Sequence, residues 1–311
     1  MLAIFIFVNI RTHADVTTPD NPNNNAPTAT ITSIVATATS STVSVDAPLT
    51  LVAGATVPVK VVGSFVDADG CSQVTTGGRV DALLQRGSVT SCISSGFMVS
   101  DGGNSCYAVQ GCTITDCSGT TANFECDFNV AYNADATDLG EYSADQWTAF
   151  VSPLDQTMLS SGSTDNTSPG YTSAHFEVAL SPGIAAGHSV SFGSLAFGAV
   201  SAQQTLDVED AGNTPLTNIS VESSPLLCRH NDSESPGASG TIPPENVYAA
   251  GSPAEIGSMT ALSSSTPLQF GLNIPVATTT ASSTKPVYMR LQFPSDLVAG
   301  VCTGAVTVGI E

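Results

Sequence analysis

Apolar and polar residues alternate in short runs along most of this chain, with a period near two. The runs that read as strands in the first half are Thr28–Val35, Leu49–Val52, Val57–Val66, Arg79–Gln85, Ser91–Val99, Phe124–Tyr132 and Gln146–Val151. They are rich in Val, Thr, Ile and Phe, which suit a pleated, half-buried surface. Gly, Asn, Asp and Ser clusters punctuate them. A second series follows: His175–Leu180, Ser189–Phe192, Gln203–Val208, Leu216–Val221, Leu268–Ile274, Val287–Phe293 and Val301–Ile310. Between Leu216–Val221 and Leu268–Ile274, residues 228–244 read as a polar loop with Gly237, Gly240 and a Pro243–Pro244 pair. No stretch of ten or more residues carries the 3.6-residue apolar period of a surface helix. The Ala-rich piece Ala131–Ala136 is interrupted by Asn133 and Asp135.

Two strand series with frequent turn signals predict an all-β chain of two tandem β-sandwiches. The division is 1–14 leader, 15–27 polar linker, 28–170 first sandwich and 171–311 second sandwich. Residues 15–27 (DVTTPDNPNNNAP) have no periodicity and read as a spacer. Residues 160–170 (SSGSTDNTSPG) are the most linker-like internal stretch. The run Leu2–Ile10 followed by Thr12–His13–Ala14 reads as a signal peptide cut before Asp15, although it lacks a basic start. The alternative for this run is a buried first strand. It is too short to cross a bilayer, and no other stretch is long enough.

Composition narrows the function. Charged residues make up 11% of the 311, against about 25% in an ordinary soluble domain. Ser, Thr, Asn and Gly must therefore cover the surface, as is common in exported β-proteins. The balance is 7 basic to 27 acidic residues, a net charge of −20, with Lys60 and Lys285 the only lysines. Such a charge repels phosphate backbones and anionic lipid, which argues against nucleic-acid and peripheral-membrane partners.

Eight cysteines are present, and none forms a C-x-x-C pair. A disulfide framework fits better than a zinc site. Spacing suggests Cys71–Cys126, Cys92–Cys106, Cys112–Cys117 and Cys228–Cys302. Six cysteines between Cys71 and Cys126 admit many other connectivities. The last pair follows from Cys228 and Cys302 being alone in their half.

The segment VVGSFVDADGCSQV (Val61–Val74) places Asp67 and Asp69 beside Gly70. Two carboxylates at this spacing could hold calcium, with Ser72 adding an oxygen. Calcium, however, takes six to eight oxygens. No further acid follows until Asp81, so the EF-hand pattern fails. A hairpin turn with Gly70 at positive φ accounts for the residues better.

The same segment, extended to Gly87, resembles bacterial immunoglobulin-like repeats, in which a strand, an Asp-x-Asp-Gly turn and a hydrophobic strand follow one another. YSADQWTAFVSPLD (Tyr142–Asp155) resembles their penultimate strand. Residues 192–221 (FGSLAFGAVSAQQTLDVEDAGNTPLTNISV) and 291–308 (LQFPSDLVAGVCTGAVTV) resemble sandwich modules of secreted proteins. Over residues 55–311 the chain looks like a family of exported two-domain surface proteins of uncultured bacteria, on the six-cysteine first half, Cys106–Tyr107, the Tyr132/Ala134/Thr137 piece and the FGSL start. The resemblance implies immunoglobulin-like sandwiches and export. It implies no activity.

Candidate chemistry is sparse. His13 is lost with the leader, and His175, His188 and His230 are scattered. There is no G-x-S-x-G elbow and no H-E-x-x-H. A secreted hydrolase, using acids distant in the chain, is the least favoured function. The favoured one is a secreted, non-catalytic structural or interaction protein of the cell surface (envelope, appendage or adhesion component). Its partners would be proteins or glycans, or further copies of itself. The loops Cys92–Cys117 and Arg229–Pro244 are its best binding surfaces. A carbohydrate-binding, lectin-like adhesin is the alternative. It would need Trp147, Tyr107 and Tyr142 to share an exposed face, whereas the sandwich reading buries Trp147.

Overall fold

The computed structural model describes residues 25–87, 89, 92–94, 97–98, 104–155, 172–185, 189–229, 239–277, 283–296 and 300–310, with backbone only at 93, 94, 97, 98 and 239. The expected leader, most of the 15–27 linker, the 160–170 linker, His13, His188 and His230 lie outside them.

The first body contains β1 (Thr28–Ala36), β2 (Ser41–Thr42), β3 (Thr56–Val66), α1 (Ser72–Thr76), β4 (Arg79–Arg86), β5 (Ile93–Ser94), β6 (Phe97–Met98), β7 (Cys106–Gln110), β8 (Thr113–Ser118), β9 (Thr121–Ala131), β10 (Trp147–Leu154) and β11 (Thr172–Phe176). One sheet has the order β2-β1-β3-β9-β8 and the facing sheet β11-β10-β4-β7, all antiparallel. Alternation fixes the register. Val57, Val59, Val61 and Phe65 of β3 point inward, as do Phe124, Cys126, Phe128 and Val130 of β9. Gly63 lies opposite Phe124. A Cβ there would stand 2.2 Å from the Thr30 carbonyl and 2.4 Å from the Phe124 ring, so only glycine fits.

β4 and β10 are buried almost throughout rather than alternately. Their second face is covered too. Leu83 packs with buried Cys92 and Cys106, against Val89, Ala108 and Phe150, in a small core outside the sandwich. Val89 and Cys92 thus cover part of this outer face.

The second body contains β12 (Gln204–Asp210), β13 (Ile219–Ser223), β14 (Leu226–Arg229), β15 (Ser239–Ile242), β16 (Val247–Ala250), β17 (Thr260–Ala261), β18 (Leu268–Phe270), β19 (Ser283–Leu291), β20 (Val301–Thr303) and β21 (Val306–Ile310). They form the sheets β12-β19-β16-β17, β18-β13-β21 and β15-β14-β20 around a separate apolar core that includes Leu206, Ile219, Ile242, Val287 and Met289. The fold is therefore all-β, built of two antiparallel β bodies with one main core each.

Several details differ from the sequence reading. β11, assigned above to the second sandwich, pairs with β10, and Phe176 and Val178 belong to the first core. The alternation of residues 175–180 shows burial, not which core is filled. The supposed polar loop 228–244 begins and ends as strands β14 and β15. The Asp-x-Asp-Gly segment is not a hairpin. It leaves β3 of one sheet, makes one turn of helix, and enters β4 of the other. A crossover fits because Val74 of α1 reaches the core.

Candidate functional site

Asp67 and Asp69 sit in that crossover. The Asp69 amide donates to Asp67 Oδ1 at 2.9 Å, the Gly70 amide to the Asp67 carbonyl at 3.0 Å, and Gly70 has φ +112°. This is the turn chemistry expected of Asp and Gly. The surroundings of Asp67 were not legible in sequence. Its side chain is fully buried, and its Oδ2 has no hydrogen-bond partner. Burial raises its pKa above the ordinary carboxylate value, the Asp69 amide opposes this, and the charges of Asp155 and Asp69 raise it further. Asp155, after β10, is also fully buried. Asp69 is exposed and accepts from the Asn25 backbone amide at 2.6 Å.

The cysteines are all paired, in a different pattern from the one spacing suggests. The bonds are Cys71–Cys117, Cys92–Cys106, Cys112–Cys126 and Cys228–Cys302. Cys126 lies on β9 with its side chain inward, and Cys112 is drawn to it just before β8. Cys117, on β8, meets the start of α1, where the Cys71 amide also donates to the Gly119 carbonyl at 3.1 Å. The expected Cys71–Cys126 and Cys112–Cys117 bonds are therefore replaced. Local spacing could not register that β8 folds back on β9 and carries Cys117 to the crossover. Cys228 and Cys302 are direct cross-strand neighbours on β14 and β20.

The aromatic residues do not form a platform. Trp147 is fully buried and Tyr107 is 7% exposed. Trp147 packs between Tyr107 and Phe176, with ring centroids 5.9 and 6.0 Å away, and donates its indole N–H to the Asp135 carbonyl at 2.8 Å. The Tyr107 hydroxyl oxygen accepts the Ala131 amide at 3.0 Å. Tyr142 lies elsewhere, its ring 3.8 Å from the Arg86 guanidinium carbon. Arg86 is held by Asp135 at 2.7 Å and by a short bond to Asp145. Burial alone would lower the Arg86 pKa, but the bonds to Asp135 and Asp145 outweigh it and the pKa rises. His175, on the edge strand β11, shares a 3.0 Å hydrogen bond with Thr148.

The junction between the two bodies was not foreseen. Asn213 donates to the carbonyls of Ala134 and Ala179, both at 3.0 Å, and accepts from the Ser181 amide at 2.6 Å. Asn104 and Asn133 both donate to the Ala277 carbonyl, at 2.9 and 3.2 Å. The Gly54 amide donates to Ala211 at 2.9 Å. Of these residues Asn104, Asn213 and Ala277 line a cleft of about 400 Å³, whose walls include Leu139, Tyr142, Leu180, Pro215 and Val276. Its asparagines are already engaged with backbone, so the lining left for contact is mainly apolar. Isolated asparagines in loops carry no sequence signal of such a role.

Among the described residues no helix is long and apolar enough to cross a membrane. No protein-family model matches the chain, and no curated protein matches it. Among solved structures, the CupB6 tip adhesin from Pseudomonas aeruginosa is similar at 12% identity and a TM-score of 0.25, over 92% of this chain and 94% of that one. At that TM-score the likeness carries no argument about this chain.

Proposed function

We propose that the protein is an extracellular structural or interaction component of the cell surface that acts by presenting rigid surfaces, without catalysis. The observation that carries this reading is the pairing of all eight cysteines, three of the bonds lying in the first body. Such density belongs to oxidising compartments. The half-cystines Cys92, Cys106, Cys112 and Cys117 lie within one of the loops expected to bind, and Cys228 adjoins the start of the other.

A protein partner is favoured over a glycan. Trp147 and Tyr107, two of the three aromatic side chains expected to form a sugar platform, are spent in the core, and Tyr142 stands apart against Arg86. By contrast, Leu227 and Val301, 54% and 56% exposed, stand on the adjoining strands β14 and β20. Exposed apolar side chains grouped on a braced sheet suit protein contact. The test is to locate the chain in its native cells with an antibody and to cleave intact cells with protease. Surface-accessible, fully oxidised protein supports the reading. A cytosolic chain with free thiols overturns it.

A further inference from the structure

We propose that the crossover end of the first body binds a calcium-type divalent cation, with the Asp67 carboxylate as the anchoring ligand and Asp155 and Asp69 beside it. A buried carboxylate is costly unless a positive charge or hydrogen bonds compensate it. Asp67 is fully buried, one of its two oxygens has no partner, and a second fully buried carboxylate, Asp155, adds its charge nearby. The basic side chains of this body are committed elsewhere: Arg79 to Asp81, Lys60 to Glu125 and Asp127, and Arg86 to Asp135 and Asp145.

The fold builds this end from separate pieces of chain. A Cβ on Gly78 would stand 2.0 Å from the Leu154 carbonyl and 2.9 Å from the Asp155 Cα, so the end of β10 presses on the chain leaving α1. The Asp67 amide donates to Thr120 at 2.8 Å, and the Cys71–Cys117 bond fixes α1 to β8. Asn25 brings its amide group to Asp69, with Nδ2 at 3.3 Å from Oδ2.

Every polar group offered here is an oxygen donor or an amide. This is the set of a hard cation, and no thiol or imidazole competes for a softer one. Among the described residues no three acidic, His or Cys side chains gather closely enough to cage a metal alone. The sphere therefore needs carbonyl, amide and water oxygens as well. That composition belongs to the weak class of extracellular calcium modules, with a Kd of roughly 10⁻⁴–10⁻³ M.

The experiment is calorimetric titration of the EDTA-dialysed full chain with calcium chloride, with thermal melts in EDTA and in calcium. The expected result is one saturable event in that range and a higher melting temperature in calcium. Both should be lost in Asp67→Asn and Asp155→Asn, and unchanged in Asp207→Asn, an exposed acid on the second body. Because the two buried variants can fail to fold, Asp69→Asn serves as the exposed variant. It should weaken binding at least several-fold while its melt in EDTA matches the parent. No saturable event in the parent, equal binding by Asp69→Asn, or binding retained by folded Asp67→Asn overturns the proposal. So does a parent whose melt ignores calcium while Asp67→Asn melts higher, the mark of a carboxylate that carries a proton.

Discussion

Asp210 offers a sharp quantitative test of the junction. It ends β12, is fully buried, and accepts from the Gly212 amide at 3.0 Å through Oδ1, while Oδ2 has no partner. Burial pushes its pKa from 3.8 up to about 6, with the Gly212 amide opposing the shift. The folded chain then holds this proton more tightly than the unfolded chain. Folding bears no ionisation penalty below about pH 4, where both states are protonated. The penalty grows as pH rises through the window from 3.8 to about 6 and is complete above it. The rise from 3.8 to about 6 corresponds to ~3 kcal/mol. Asp210→Asn removes the charge at every pH, keeps the Oδ1 acceptor, and puts an amide where Oδ2 was, at a pH-independent cost of about 1–3 kcal/mol for the unpaired NH₂. The variant should be less stable than the parent near pH 4. It should gain on the parent by ~3 kcal/mol toward pH 8 and reach parity or better there. Urea melts followed by far-ultraviolet circular dichroism across this range measure the difference. A variant-minus-parent difference that stays flat from pH 4 to 8 refutes the assignment of a buried, proton-retaining carboxylate.

Other outcomes are equally specific. Gly63→Ala should destabilise the first body by about 3 kcal/mol, through overpacking against Thr30 and Phe124, read as a lowered urea midpoint. The single tryptophan should emit at short wavelength and resist acrylamide quenching, because Trp147 is sealed in the core, and Trp147→Ala should cost about 3–5 kcal/mol. Non-reducing peptide mapping should recover Cys71–Cys117 and Cys112–Cys126; recovery of Cys71–Cys126 would contradict the threading of β8. Replacing Cys228 and Cys302 together by alanine should cost ~4 kcal/mol, since the bond spans 74 residues, and the loss should appear in the melt of the second body.

The legibility of this fold in its sequence varies with the range of the interaction that decides each feature. β3, β4, β9, β10, β12 and β19 are visible as alternating or continuous apolar runs, because each fills a core directly. Trp147 is placed correctly for the same reason. β14 and β15 are hidden because β14 also depends on β20 far along the chain, and the Ser, Gly and Thr of β15 read as loop. Phe176 cannot reveal from its own neighbourhood which core it enters. For the disulfides range alone does not decide, since Cys92–Cys106 and Cys112–Cys126 each span 14 residues; Cys112–Cys126 and Cys71–Cys117 are missed because both depend on β8 folding back on β9. At the crossover, Asp67 and Asp69 announce turn chemistry, but nothing nearby announces Asp155, which is 86 and 88 residues further along the chain. The junction asparagines bind backbone carbonyls, and such bonds leave no residue pattern.

The order of the half-cystines has a consequence for what proteolysis can do to the protein. The bond Cys71–Cys117 encloses Cys92–Cys106 and overlaps Cys112–Cys126. Every peptide bond from Cys71 to Cys126 is therefore bridged by at least one covalent link, and Cys228–Cys302 bridges the corresponding stretch of the second body. A protease that clips an exposed loop within either span produces two chains that stay joined and keep their place in the sheets. Loops of this kind can be cut, or can drift in sequence, without releasing a fragment. The same molecule run on a reducing gel would fall into pieces.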